Sequence, residues 1–145
     1  MSKPAKSCLQ FDGYEVNNAH FELSQYYECN KEYQISPTFS LKISDCKDSK
    51  YKVQLSLSLV ASDENPLPFS IEVVMTGKFF INLETENEVL KQALLHENTV
   101  AIMFPFLRAI IASLTTTANI APLILPIVNL VEAFKNEDIT KEPSL

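Results

Sequence analysis

Polar and apolar residues alternate through the first half of the chain, and the period lengthens after about residue 87. The cleanest alternation is YKVQLSLSLVAS, where Val53, Leu55, Leu57 and Leu59 interleave with Gln54, Ser56 and Ser58. It predicts a strand with one buried and one wet face. TFSLKIS places Phe39, Leu41 and Ile43 on one face of a shorter strand, and DCKDSK is the turn between the two. In LQFDGYEVNNAHFEL the parity shifts between Phe11 and Tyr14, which predicts a long strand with a bulge or kink at Gly13. After the turn DENP, PFSIEVVMTGKFFINL is a further long strand with Phe69, Ile71, Val73 and Met75 on one face. Gly77 is expected to mark a bulge before Phe79 and Ile81.

Helical spacing follows. NEVLKQALLHEN, with Val89, Leu90 and Leu94, predicts a short helix, and Thr99 to Thr117 a longer one. Met103, Leu107, Ile110, Ile111 and Leu114 form the expected core stripe of the longer helix. Four strands before the helices, three of them joined by short turns, predict an α+β fold. The expectation is a four-stranded antiparallel sheet carrying helices on one face, the longer of them starting near Thr99. With 145 residues the chain suits one domain over 1–145, with an ordered core of about 9–134 and frayed termini.

From Ala109 to Val131 no residue is charged, long enough to raise the possibility of a membrane span. Pro122 and Pro126 remove backbone donors, Thr115, Thr116, Thr117, Asn119 and Asn129 add polar groups, and the flanks lack a basic cluster. These features favour a buried helix ending near Ala118, followed by an extended apolar segment. The long helix is also apolar beyond its core stripe. Phe104, Phe106, Ala109, Ala112 and Ser113 lie off that stripe and predict a second burial surface, such as an oligomer interface.

A net charge of -6 argues against nucleic acid as a partner. Three cysteines, Cys8, Cys29 and Cys46, form no closely spaced pair, so neither a disulfide framework nor a metal site is expected, and a reducing, cytoplasmic setting is. The N-terminal MSKPAKSCLQ has no apolar run to follow its lysines and does not read as a signal peptide. His20 and His96 have no partner at catalytic or metal spacing and read as surface histidines. Two glycines cannot build a phosphate-cradling loop, and Glu84, Glu86 and Glu88 suit a solvated helix start. No catalytic residue, cofactor or metal is therefore expected, and the chain does not read as an enzyme.

The stretch FPFLRAIIASLTTTANIAPLILPIVNLVEAF resembles the C-terminal half of the SecB-type protein-export chaperones. That family opens its main helix with Phe-Pro-Tyr-x-Arg and later carries Pro-x-x-Leu and Pro-x-Asn-Phe. The matching residues are Phe104, Pro105 and Arg108, then Pro122, Leu125, Pro126 and Asn129. Phe106 stands for the tyrosine and Leu130 for the last phenylalanine. Gly77 with KFFINL is similar to the family's G-x-F-x-I, and HFEL to its S-F-E, so the resemblance runs from Leu9 to about Phe134.

The resemblance implies an α+β fold in which a long helix and a shorter C-terminal helical region pack on one face of the four-stranded antiparallel sheet, and a homotetramer built as a dimer of dimers, in which edge strands pair and the long helices are sandwiched. It also implies an ATP-independent holdase for unfolded preproteins or an antitoxin, held in long apolar grooves. Carried over by position, the groove residues are Tyr26, Tyr27, Tyr33, Ile35, Phe39, Leu41 and Ile43, with Leu125 and Ile127 as additions. Alternation alone makes Phe39, Leu41 and Ile43 ordinary core; the resemblance makes them groove. Docking to the SecA translocation motor is implied by Glu22 and Glu72, which match two acidic positions of the family's patch. Asn18 replaces an aspartate there, and the C-terminal tail does not match the family's motor-binding tail. Two other functions use the same apolar surface: an oligomeric interaction module that is not a chaperone, or a small-ligand binder.

Overall fold

The computed structural model describes residues 8–25, 35, 37–82, 87–119 and 139–141. Five strands form one sheet in the order β1-β4-β3-β2-β5. They are β1 (Leu9–Leu23), β2 (Thr38–Asp45), β3 (Lys50–Leu59), β4 (Phe69–Ile81) and β5 (Ile139–Lys141). The first four pair antiparallel, and β5 runs parallel to β2 against Ile43 to Asp45. Where the sequence predicts a frayed tail, the structure thus places a short strand on the β2 edge.

The pairings follow the alternation. Phe39, Leu41 and Ile43 lie opposite Leu57, Leu55 and Val53 across β2 and β3, so every apolar residue of both strands shares one face. The β2–β3 turn is tight. Lys47, Asp48 and Ser49 all take positive φ, and the Asp45 carboxylate accepts the Lys47 N–H at 3.0 Å. The register shift in β1 between Phe11 and Tyr14 contains Gly13 at φ +99°, as the parity change predicts. A second shift, between Val16 and Asn18, leaves Asn17 over β4, where its side-chain oxygen accepts from the Thr76 hydroxyl at 2.6 Å.

Gly77 does not form a bulge: it pairs regularly with Tyr14 and with Val53. Its role is spatial. A Cβ at this position would lie 2.7 Å from a ring carbon of Phe79 and 2.8 Å from the Met103 sulfur, both inside van der Waals contact. The missing side chain is the gap into which the helix sets Met103.

The two expected helices form one continuous run. Helix α1 (Glu88–Ala93) is capped by the Asn87 side chain, which accepts the Leu90 N–H at 3.1 Å. It passes through a π-helical turn at Leu94–Asn98 into helix α2 (Thr99–Thr117). The wider turn shifts the helical phase and buries three consecutive residues, Leu94, Leu95 and His96. His96, expected at the surface, is 2% exposed, and its Nδ1 lies 2.8 Å from the Gln92 carbonyl oxygen. Val89, by contrast, is 82% exposed: α1 has no buried face of its own.

Met103, Leu107 and Ile111 are fully buried among residues of the dry sheet face, while Ile110 and Leu114 are half-buried at the flank. Thr99 and Thr115 complete the inner stripe, their hydroxyls donating to the Leu95 and Ile111 carbonyls one turn back. By length and composition the run Glu88–Thr117 would suffice to cross a membrane, but its inner stripe packs on the sheet as a core helix does.

The close contact at Gly77 sets an expected outcome. Gly77→Ala should lower unfolding free energy by about 1–3 kcal/mol in urea titration, because both neighbours are buried and must move. An unchanged midpoint would show that the helix seats independently of this gap.

Candidate functional site

The sheet has two faces with different chemistry. On the dry face, the Phe-Pro-Phe triplet of α2 splits around the helix. Phe104 meets Phe39 of β2 edge-on with ring centroids 6.2 Å apart. Phe106 meets Phe11 and Tyr14 of β1, at 5.8 and 4.9 Å, and Phe11 in turn meets Phe79 at 5.1 Å. Residues two apart on a helix point to opposite flanks, and β1 and β2 lie on opposite sides of the central β4–β3 pair. The triplet therefore fastens the helix toward both sides at once. Pro105 faces outward between the two rings, and the Arg108 guanidinium lies 6.0 Å from the Phe104 ring centroid.

The residues predicted for a client groove divide. Leu41 and Ile43 are 4% and 1% exposed and belong to the core cluster, which corrects the expectation that they present surface. The physical reason is that both belong to the dry-face core cluster that Met103, Leu107 and Ile111 of the helix complete. Phe39, nearer the start of β2, is half-buried at the margin of that cover, and Ile35 is exposed. Tyr26, Tyr27, Tyr33, Leu125 and Ile127 lie outside the described residues.

The residues predicted for an oligomer interface also divide. Phe104 and Phe106 already spend much of their surface on strand aromatics of the same chain. Ala109 and Ser113 are exposed and Ala112 half-buried, so the outward side of α2 is small and uncharged there. Along β1, Tyr14, Val16 and Leu23 are also exposed.

On the wet face Glu22 and Glu72 are both exposed. His20 joins them: it lies opposite Glu72 in the register, and its Nε2 is 3.5 Å from a Glu22 carboxylate oxygen. Farther along the same face Lys78 donates to Glu15 at 2.8 Å. That hydrogen bond, then the Lys78 charge, holds the Glu15 carboxyl below its ordinary pKa, with Lys52 adding to the effect. A lowered carboxyl contributes stability above its ordinary range and loses it on acidification through the lowered value. Sequence reasoning did not single out these lysines. Each occupies a wet position of its strand, and only the register shows that they meet.

A family profile described as preprotein translocase subunit SecB matches residues 13–141. Among proteins similar in sequence, an uncharacterised protein of Methanocaldococcus jannaschii is 29% identical over 98% of this chain and 92% of its own length. A protein-export protein SecB of Orientia tsutsugamushi is 27% identical over 93% of this chain and 80% of its own. In fold the chain is similar to a Mycobacterium tuberculosis SecB-like chaperone solved in complex with a ChAD peptide from the HigA1 antitoxin. The TM-score is 0.66 at 17% identity, covering 85% of this chain and 92% of that one. With nearly the whole chain matched, and with a long helix fastened across an antiparallel sheet by Phe104 and Phe106, this protein belongs to the SecB family of chaperones.

Proposed function

We propose that the chain is an ATP-independent holdase that retains unfolded polypeptides, preproteins or an antitoxin, in the cytoplasm. The observation that carries the reading is the apolar margin where β2 meets α2. There Phe39 and Phe104 are half-buried and meet edge-on, and Ile35, three residues before β2, is exposed. Half-exposed aromatic rings offer a large apolar contact area with few rotamers to freeze, which suits clients of any sequence. Family membership supports the reading, and so does the likeness to a SecB-like chaperone solved with an antitoxin peptide. Leu41 and Ile43 form the floor beneath this margin. Tyr26, Tyr27, Tyr33, Leu125 and Ile127 are proposed to extend it.

Two further surfaces support assembly as a dimer of dimers. β1 is a long strand at one end of the sheet order and carries exposed Tyr14, Val16 and Leu23. Among the described strands β1 has a neighbour on one side only, and a long strand at the end of a sheet is a template for strand pairing. The outward face of α2 at Ala109, Ala112 and Ser113 is small enough for a second helix to approach. The same two surfaces would serve an interaction module that forms an oligomer without holding clients, and client binding is what separates the readings. Glu22 and Glu72 are proposed as the surface for a basic segment of the SecA motor.

Purified protein at stoichiometric amounts should slow the aggregation of a chemically unfolded client, followed by light scattering, without ATP. Phe39→Ala should weaken client binding roughly fivefold or more. It is the informative variant, because Leu41→Ala would empty the core instead. Full protection by Phe39→Ala would remove the margin from the site.

Light scattering on a sizing column should give a tetramer of the 16.3 kDa chain, and Ala109→Glu with Ser113→Glu should give a smaller species. A wild-type monomer would end the assembly reading. If the motor docks on the acidic end, Glu72→Lys should abolish its co-purification with a tagged SecA; undiminished capture would place docking elsewhere.

A further inference from the structure

Strand β2 has two unlike neighbours. On one side β3 pairs with it antiparallel along its whole length, from Thr38 opposite Ser58 to Asp45 opposite Tyr51. On the other side β5 pairs with it through three residues: Ile139 opposite Ile43, Thr140 opposite Ser44 and Lys141 opposite Asp45. Among the described strands β5 alone runs parallel to its neighbour, and a parallel pair is slightly less stable per residue than an antiparallel one. β5 is also the last strand in the sheet order, with β2 as its one neighbour among the described strands. Opening is easiest where few backbone hydrogen bonds hold an element, so β5 is the most weakly held strand of this sheet. The register does fix its place: Lys141 stands opposite Asp45, and opposite charges at opposed positions favour a pairing.

We infer that β5 is a displaceable strand, which occupies part of the β2 edge between clients and gives way there to an extended segment of a client. The inference rests on the holdase reading and adds a regulation to its site. The pairing with β5 shows that the β2 edge accepts a strand in the plane of the sheet. The same strand carries the apolar margin, since Phe39 meets Phe104 four residues before Ile43. A segment laid along β2 would therefore pair its backbone at the edge and bring alternate side chains to the dry-face side, beside Phe39. Ladder hydrogen bonds carry no sequence information, so those of β5 can be replaced one for one by those of any client. A segment that pairs with more of β2 than Ile43 to Asp45 makes more of these bonds than β5 does. Between clients β5 covers part of an edge that would otherwise be a template for unwanted pairing.

The test is fluorescence anisotropy with the full chain and a fluorescein-labelled octapeptide alternating Tyr and Ser, whose side chains carry no charge. Ile139→Pro combined with Thr140→Pro should bind it about fivefold more tightly than the wild type does. Adjacent residues of a strand turn their N–H groups to opposite edges, so one of the two prolines removes a donor from the β2 side. Lys141→Glu, which sets a like charge opposite Asp45, should tighten binding by a smaller factor. The same peptide N-methylated at every residue, which has no amide donors, should gain nothing from either variant. The inference is overturned if either variant binds the unmodified peptide no more tightly than the wild type does. It is equally overturned if the proline variant loses its cooperative melting transition, which would make β5 a fixed part of the fold, or if the N-methylated peptide gains as much. Wild-type binding without a gain in the variants overturns this inference alone; no binding by any of the three proteins overturns the holdase reading with it.

Discussion

The contact of Met103 with Gly77 is the constraint on which the arrangement depends. A sheet with one dry face must be covered, and a single helix can do so only by approaching closely. The approach is made at the one residue of β4 with no side chain, where the Met103 sulfur occupies the space a Cβ would need. Leu107 and Ile111 follow on the same stripe, and Thr99 and Thr115 close its ends by bonding back into the helix. Once Met103 is seated, the next three residues have fixed directions: Phe104 toward β2, Pro105 to the outside and Phe106 toward β1. The Pro105 ring removes one helical hydrogen bond on the exposed side, where water can serve the orphaned carbonyl.

The same seating divides what is core from what is surface. Leu41 and Ile43 are buried in the cluster that the helix stripe completes, and Phe39, packed edge-on against Phe104, is half-buried. An apolar margin of this kind is cheap to keep open, since its inner half is already supported by core packing.

The wet face has a different organisation. Glu22, His20 and Glu72 occupy one end, and Lys42, Lys52 and Lys78 the other, with Glu15 tying Lys78 to β1. Nothing in the core requires either group.

Much of this was legible in the residues. Alternation in β2, β3 and β4 predicts their faces, because burial on one side of a pleat enforces a period of two. The parity shift around Gly13 predicts the irregularity in β1, and the triplet at Phe104 with Arg108 carries the family resemblance. The expected bulge at Gly77 failed for a reason outside the strand: the glycine serves a methionine about two dozen residues later in the chain. The join of the two helices and the burial of His96 escaped because a π-turn shifts the helical phase without leaving a local signal. The pairing of β5 with β2 and the opposition of Lys52 to Lys78 were equally hidden, since register links positions far apart in the chain. The sequence by itself determined which residues prefer a dry face and at what period. Only the tertiary structure decided which of them the helix covers and which charges meet, because coverage and register depend on how separate elements pack together.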